Sequence, residues 1–339
     1  MIVDEFPDRK VQINGVDFLY FGGTNYLGIT TNPEFQNILF NSFKKWGTSF
    51  GSSRNSNVKL SIYTIAENLL AENLNTEAAL TVSSGMLAGK LVIEALSKTT
   101  DLLFHFPDTH PALMNAISNP IVENGKLNPK IFQSGIQKIT VLADAIPSSY
   151  IGPIDLSVLF EIPKEIEITL VIDESHSLGI FETNWKALLT NYQNIKIIVI
   201  ASLGKAIGLS GGVIAGDKIS IDTIRNENSF IGASGMNPAF LETYIHSQRI
   251  YESQKQKLKN NLKYLDSRFT NRKEFDFNAH YPVIYFDNAR ILESLYKKNI
   301  LITSFNYPTS SGKLNRIVIN ANHINEDLDT LALGINSNF

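Results

Sequence analysis

The sequence predicts an α/β fold, a mostly parallel sheet sandwiched by helices in a large domain, followed by a small α+β domain. Three observations carry this. Five apolar runs of strand length, 79–83, 101–106, 138–142, 168–172 and 195–200, are spaced through the first two thirds of the chain. A stretch with helical spacing, 86–98, separates the first two. The last two runs lead directly into chemically loaded segments, Asp173-Glu174-Ser175-His176 and Ser202-Leu203-Gly204-Lys205. Further on, 238–269 reads as one long polar-rich helix with Pro238 in its first turn. A strand at 281–286, a helix around 289–298, strands near Ile300 and Ile317 and a last helix from Asn325 complete the small domain. The expected division is an N-terminal segment, 1–50, packing with the small domain; a large domain, 51–240; and a connecting helix with the small domain, 241–339.

Composition narrows the class. The chain has 339 residues, 43% hydrophobic and 19% charged, which is that of a globular protein long enough for one large domain and a smaller one. Its formal net charge is −3 with acids and bases interspersed, so no basic block points to nucleic acid. It has no cysteine, which removes disulfides and thiolate sites, and its six histidines lack ligand spacing, so no metal is expected. The N-terminus is acidic and carries no apolar signal stretch, so the expected location is cytoplasmic. Segment 197–216 has Lys205 as its only charge, but Gly208, Ser210, Gly211 and Gly212 divide it into two short buried strands rather than a membrane span.

Lys205 follows one β-branched strand and Asp173 ends another, 32 residues upstream. That interval is about one strand-helix-strand unit, which places both groups on the same edge of one parallel sheet. A lysine able to form an imine, opposite an acid able to hold a pyridinium, is the pairing that pyridoxal phosphate (PLP) requires. A nucleotide site fails instead: the acidic strand 170–174 imitates that of an ATPase, but a phosphate loop ending at Gly204-Lys205 would need glycine at Val199 and serine or threonine at Ala206.

A series of motifs runs nearly end to end: Asn25-Tyr26-Leu27-Gly28, Gly51-Ser52-Ser53-Arg54, Ser83-Ser84-Gly85-Met86, Asp108-Thr109-His110, Asp173-Glu174-Ser175-His176, Ser202 to Gly212, and Arg316-Ile317 with Ala321-Asn322-His323. In this order and spacing they resemble the α-oxoamine synthase family of fold-type-I PLP-dependent enzymes. Asp173-Glu174-Ser175-His176 is similar to that family's acid-acid-alanine-histidine motif, with serine in place of alanine. The resemblance implies that Lys205 carries the cofactor as an imine and later acts as general base, and that Asp173 holds the pyridine nitrogen. His176, assisted by Ser148, would bond the phenolic oxygen, and His110 would stack on the ring. Gly85, Met86 and Ser202 would bind the phosphate, with Ser234 reaching that of the neighbouring subunit, so a homodimer with shared sites is implied. Arg316 and Asn25 would hold the substrate carboxylate.

The pattern also departs from the family. About 24 residues precede Asn25, fewer than the resemblance leads one to expect. Between His110 and Ser148 a histidine-asparagine-aspartate motif is replaced by Asn119-Pro120-Ile121-Val122-Glu123-Asn124-Gly125-Lys126, and the turn after Ser148 is shortened. The leading expectation is condensation of a small amino acid with an acyl thioester and loss of carbon dioxide. The alternative keeps the cofactor for transamination or other carbanion chemistry without coenzyme A, and the lost motif favours it.

Overall fold

The structure is a computed structural model and describes residues 1–181, 185, 192–270, 275–306 and 313–337. Strands β1 (Lys10–Ile13) and β2 (Val16–Phe21) form a hairpin. Its two-residue turn, Asn14-Gly15, has both residues at positive φ, as the right-handed twist of a tight hairpin demands. Helices α1 (Pro33–Trp46) and α2 (Ser61–Asn73) follow, then β3 (Ala78–Val82), α3 (Gly85–Leu96), β4 (Leu102–His105) and the short β5 (Asn119–Pro120). A second Asn-Gly turn joins β6 (Val122–Glu123) to β7 (Lys126–Leu127). Strands β8 (Lys138–Asp144), β9 (Glu167–Asp173), β10 (Ile195–Ser202) and β11 (Gly212–Gly216) complete the large sheet. Its order is β3-β11-β10-β9-β8-β4-β5, with β11 antiparallel to its neighbours and the other pairs parallel.

The central strands are largely apolar in their interiors because both faces are covered. Val199 and Ala201 of β10 enter one buried cluster, whereas Ile198 and Ile200 enter the other, beside Ala88, Leu91 and Val92 of α3. The second half contains α4 (Lys218–Arg225), α5 (Asn228–Gly232), α6 (Pro238–His246), α7 (Gln248–Asp266), β12 (Asp276–Phe277), β13 (Val283–Tyr285), α8 (Ala289–Lys297), β14 (Ile300–Asn306), β15 (Lys313–Val318) and α9 (Asn325–Asn336).

One expectation needs correction. The helix expected over 238–269 is two helices, broken at Ser247, whose backbone (φ −99°, ψ 6°) is the C-cap of α6 and the N-cap of α7. The N-terminal hairpin extends a second sheet: β2 pairs parallel with β14, giving the order β1-β2-β14-β15-β13-β12. Residues from the two ends of the chain thereby share one sheet. Helix α7 bonds to both sheets' flanking loops: Gln254 donates to the carbonyl of Leu27, beyond β2, at 2.7 Å, and Tyr251 to that of Ile207, beyond β10, at 3.0 Å.

Candidate active site

The chemistry-bearing residues gather at the C-terminal edge of the large sheet, where parallel α/β sheets leave a crevice. Asp173 closes β9 and is buried, its Oδ1 accepting from the amide of Ser175 at 2.8 Å. The Ser175 hydroxyl accepts from the amide of Ser202 at 2.7 Å, so the loops after β9 and β10 are cross-linked by the serine that stands where the family motif has alanine.

Lys205 lies in the turn after β10, and among the described residues no hydrogen bond or ion pair holds its amine. Burial lowers its pKa to about 8, opposed by the nearby carboxylates of Asp173 and Asp144. Asp144 ends β8 in register with Asp173. Burial, followed by the Asp173 charge, pushes its carboxyl well above the usual range. Its Oδ1 accepts from the amide of His110 at 3.1 Å.

His110 is half-buried in a turn. Its Nδ1 accepts from the amide of Ala112 at 3.1 Å, which fixes the ring and puts the proton of the neutral imidazole on Nε2. Lys90 of α3 braces the same turn through the carbonyls of Pro111 and Met114, both at 3.0 Å. Burial depresses the pKa of His110, and that of His176 falls well below the ordinary value for the same reason, helped by the positive charges of Lys205 and Arg316. His176 therefore stays neutral, its Nδ1 2.8 Å from the Tyr26 hydroxyl and its Nε2 3.3 Å from the Ser148 hydroxyl.

Helix α3 begins against this edge. Ser84 caps it by accepting from the amide of Leu87 at 3.1 Å, while Gly85 and Met86 supply its first two amides. Gly85 is needed for the close approach: a Cβ there would lie 2.7 Å from Cβ of Ser202 and 2.9 Å from its Cα. A helix N-terminus, a nearby serine hydroxyl and a small residue together suit a phosphate. Ser234 is exposed in the link between α5 and α6, and no hydrogen bond joins it to this cradle in its own chain.

Arg316 comes from β15 of the second sheet and is buried. One terminal nitrogen donates to the carbonyl of Gly23 at 3.4 Å, and its Nε has no partner. Tyr26, Tyr281 and Tyr285 surround the guanidinium, Tyr285 bonding it, and no described carboxylate pairs with it. Asn25 is differently occupied from the expectation. Its Oδ1 accepts from the amide of Ile29 at 3.1 Å and its Nδ2 donates to Thr30 at 2.8 Å, so the carboxamide first braces its own loop.

Tyr26, Asp144, Ser175 and the two other tyrosines were missed in the sequence. Asp144 carried a readable signal, an acid ending an apolar strand as Asp173 does. The residues present fit PLP: an unpaired amine of lowered pKa, a buried carboxylate pair, a helix N-terminus beside a serine, and an orphaned guanidinium nitrogen for a substrate carboxylate. A cavity of about 830 Å³ lies elsewhere, at the starts of the same strands around Lys138, Thr169 and Ile195. Among the described residues there is no cluster suited to a metal ion and no helix long and apolar enough to cross a membrane.

Residues 152–335 match the family described as aminotransferase class I and II. The 8-amino-7-oxononanoate synthase of Petrotoga mobilis is 27% identical over 94% of this chain and 88% of that protein. The serine palmitoyltransferase of Bacteriovorax stolpii is 23% identical over 97% and 84%. Among solved structures, the serine palmitoyltransferase of S. paucimobilis with bound PLP and myriocin superposes with a TM-score of 0.82 at 17% identity, covering 99% of this chain and 91% of that one. With the family match spanning more than half its length, this chain belongs to the aminotransferase class I and II family, as a PLP-dependent transferase of the α-oxoamine synthase group.

Proposed function

We propose that the protein condenses a small amino acid with an acyl thioester and releases carbon dioxide, working as a cytoplasmic homodimer. The observation that carries this reading is the buried Arg316, whose guanidinium has no described carboxylate partner and an orphaned Nε. A buried cation is costly unless paired, and a forked guanidinium is matched to a carboxylate.

PLP, when bound, supplies an electron sink for negative charge at the substrate α-carbon. The remaining tasks fall to the chain. Asp173 keeps a carboxylate at the pyridine nitrogen, and His176 offers a neutral ring to the phenolic oxygen. Gly85, Met86 and Ser202 hold the phosphate, joined by Ser234 of the second subunit. Arg316 fixes the amino acid by its carboxylate, which presents the α-carbon to Lys205. With a pKa of about 8, that lysine can take a proton from the α-carbon and return one near neutral pH. The relatives' names support the thioester: 8-amino-7-oxononanoate synthase and serine palmitoyltransferase recur among them.

The test is direct. Purified protein loaded with PLP is given carboxyl-labelled amino acids and an acyl-CoA series, and free thiol and labelled carbon dioxide are followed together. Equal, mutually dependent release supports condensation. A second reading, transamination without thioester, draws on the missing histidine-asparagine-aspartate motif, whose place is taken by β5 and the β6–β7 hairpin. It requires conversion of the cofactor to its pyridoxamine form by an amino acid alone, and absence of that conversion removes it.

A further inference from the structure

The His176 ring is gripped from both sides, and only one of the grips belongs to the large sheet. On one side the Ser148 hydroxyl lies 3.3 Å from Nε2; on the other the Tyr26 hydroxyl lies 2.8 Å from Nδ1. Tyr26 comes from the N-terminal loop, 150 residues away, and is 1% exposed. We propose that Tyr26 is a positioning residue: its hydroxyl donates to Nδ1 of His176 and so places the ring proton on Nε2, the nitrogen available to the phenolic oxygen of the cofactor.

The argument is one of donors and acceptors. Lys205, Arg316 and His110 are the ionisable groups whose charges act on His176, and the ring is buried among them, so it is neutral and carries one proton. A proton on Nδ1 would make Nε2 an acceptor, facing a phenolic oxygen that is itself an acceptor when ionised. A proton on Nε2 requires a donor at Nδ1, and the Tyr26 hydroxyl is at donor distance. Tyr26 in turn hydrogen-bonds Tyr281, whose pKa is pushed up by burial and by that bond, as befits the neutral donor of the pair. The result is a one-way chain from Tyr281 through Tyr26 to His176. Tyr26 and Tyr281 also flank Arg316, so the groups that would receive the substrate carboxylate and those that fix the cofactor oxygen share one hydrogen-bonded wall. The inference rests on the PLP reading above.

Tyr26→Phe removes the hydroxyl and keeps the ring that packs on Tyr281 at a centroid separation of 6.4 Å. In the PLP-loaded protein, the pH midpoint of the visible absorbance should rise by about one unit, a tenfold change, because a phenolic oxygen that loses its donor becomes more basic. Tyr281→Phe should move it the same way by less. Independently, ring-nitrogen resonances of isotope-labelled histidine in the parent apoprotein should place the His176 proton on Nε2. A Tyr26→Phe titration that superimposes on the parent's, or a parent proton on Nδ1, overturns the proposal. The resonance measurement decides it even if the variant fails to fold. A parent that takes up no PLP and develops no visible band overturns the functional reading itself, and this inference with it; a yellow parent with a silent Tyr26→Phe overturns the inference alone.

Discussion

The two halves of the site are assembled over very different lengths of chain. Asp173, His176, Ser202 and Lys205 sit on two adjacent parallel strands, with Asp173 in register with Ile200 and the two following loops tied by Ser175. Arg316 instead reaches Gly23 across 293 residues, and Tyr26 reaches His176 across 150. The cofactor half is therefore built chiefly by strand geometry, with Tyr26 reaching into it from the N-terminal loop, whereas the substrate half exists only when the second sheet is docked. Substitutions in the first should alter the bound cofactor, as should Tyr26→Phe through His176; substitutions around Arg316 should alter how the amino acid is held.

The largest expected effect is Lys205→Ala. Turnover should fall by at least about 10²–10⁴-fold, the usual contribution of a positioned acid-base group, while the protein still folds and takes up PLP without a covalent link. Borohydride reduction and peptide mapping of the parent check it, since a pyridoxyl adduct on another lysine removes the assignment. The same residue sets a pH dependence. Only the unprotonated amine has a free electron pair, so covalent capture of PLP should accelerate as pH rises and level off above about 8. At neutral pH the unprotonated fraction is roughly 200 times that of an ordinary lysine. A capture rate still climbing at pH values near the ordinary lysine pKa of about 10.4 would contradict this.

Next comes Asp173→Asn, which keeps the shape and removes the charge. Cofactor affinity should drop by about 1.5–3 kcal/mol, the worth of one charge-assisted hydrogen bond, and turnover by more. Near-normal turnover would remove Asp173 from the electron-sink role. Arg316→Lys probes the other half. A lysine keeps the charge and loses the fork, so kcat/KM for the amino acid should fall about tenfold to a hundredfold, with the absorbance of the loaded resting protein unchanged. A changed cofactor spectrum would mean that the halves are less separable than their construction suggests.

The same contrast governs what the sequence discloses. Strands β8 to β11 and the placement of Asp173 and Lys205 follow from apolar runs whose two faces are both buried, a local and strong signal. The N-terminal hairpin had an equally local one, Asn14-Gly15 between strands, yet its partner β14 lies some 280 residues away and no pattern announces that pairing. The break between α6 and α7 falls at a serine with no proline or glycine beside it, so no local signal marks it, while beyond the break α7 bonds to the carbonyls of Leu27 and Ile207, contacts distant in sequence. The family resemblance implies that Asn25 holds the substrate carboxylate. Its carboxamide is occupied within five residues of itself, which only geometry discloses.

The smallest expected effect isolates the cofactor half most cleanly. Ser175 takes the position of the family's alanine, and its hydroxyl receives the amide of Ser202, the residue that also lines the phosphate cradle beside Gly85. Ser175→Ala deletes one neutral hydrogen bond, so stability should fall by about 1 kcal/mol, and PLP affinity by a few-fold because the Ser202 loop is less firmly held. Arg316 and its tyrosine wall are untouched, so KM for the amino acid should not move. Thr303→Val is the matching change on the other side, since the Thr303 hydroxyl receives the amide of Gly23 at 3.2 Å next to the carbonyl that Arg316 grips. Its cost should fall on KM and leave PLP affinity alone. Measuring both constants in both variants gives four numbers. If each variant moves both constants equally, the docking of the two sheets rather than either local bond controls the site, and the division between a local and a long-range half does not hold.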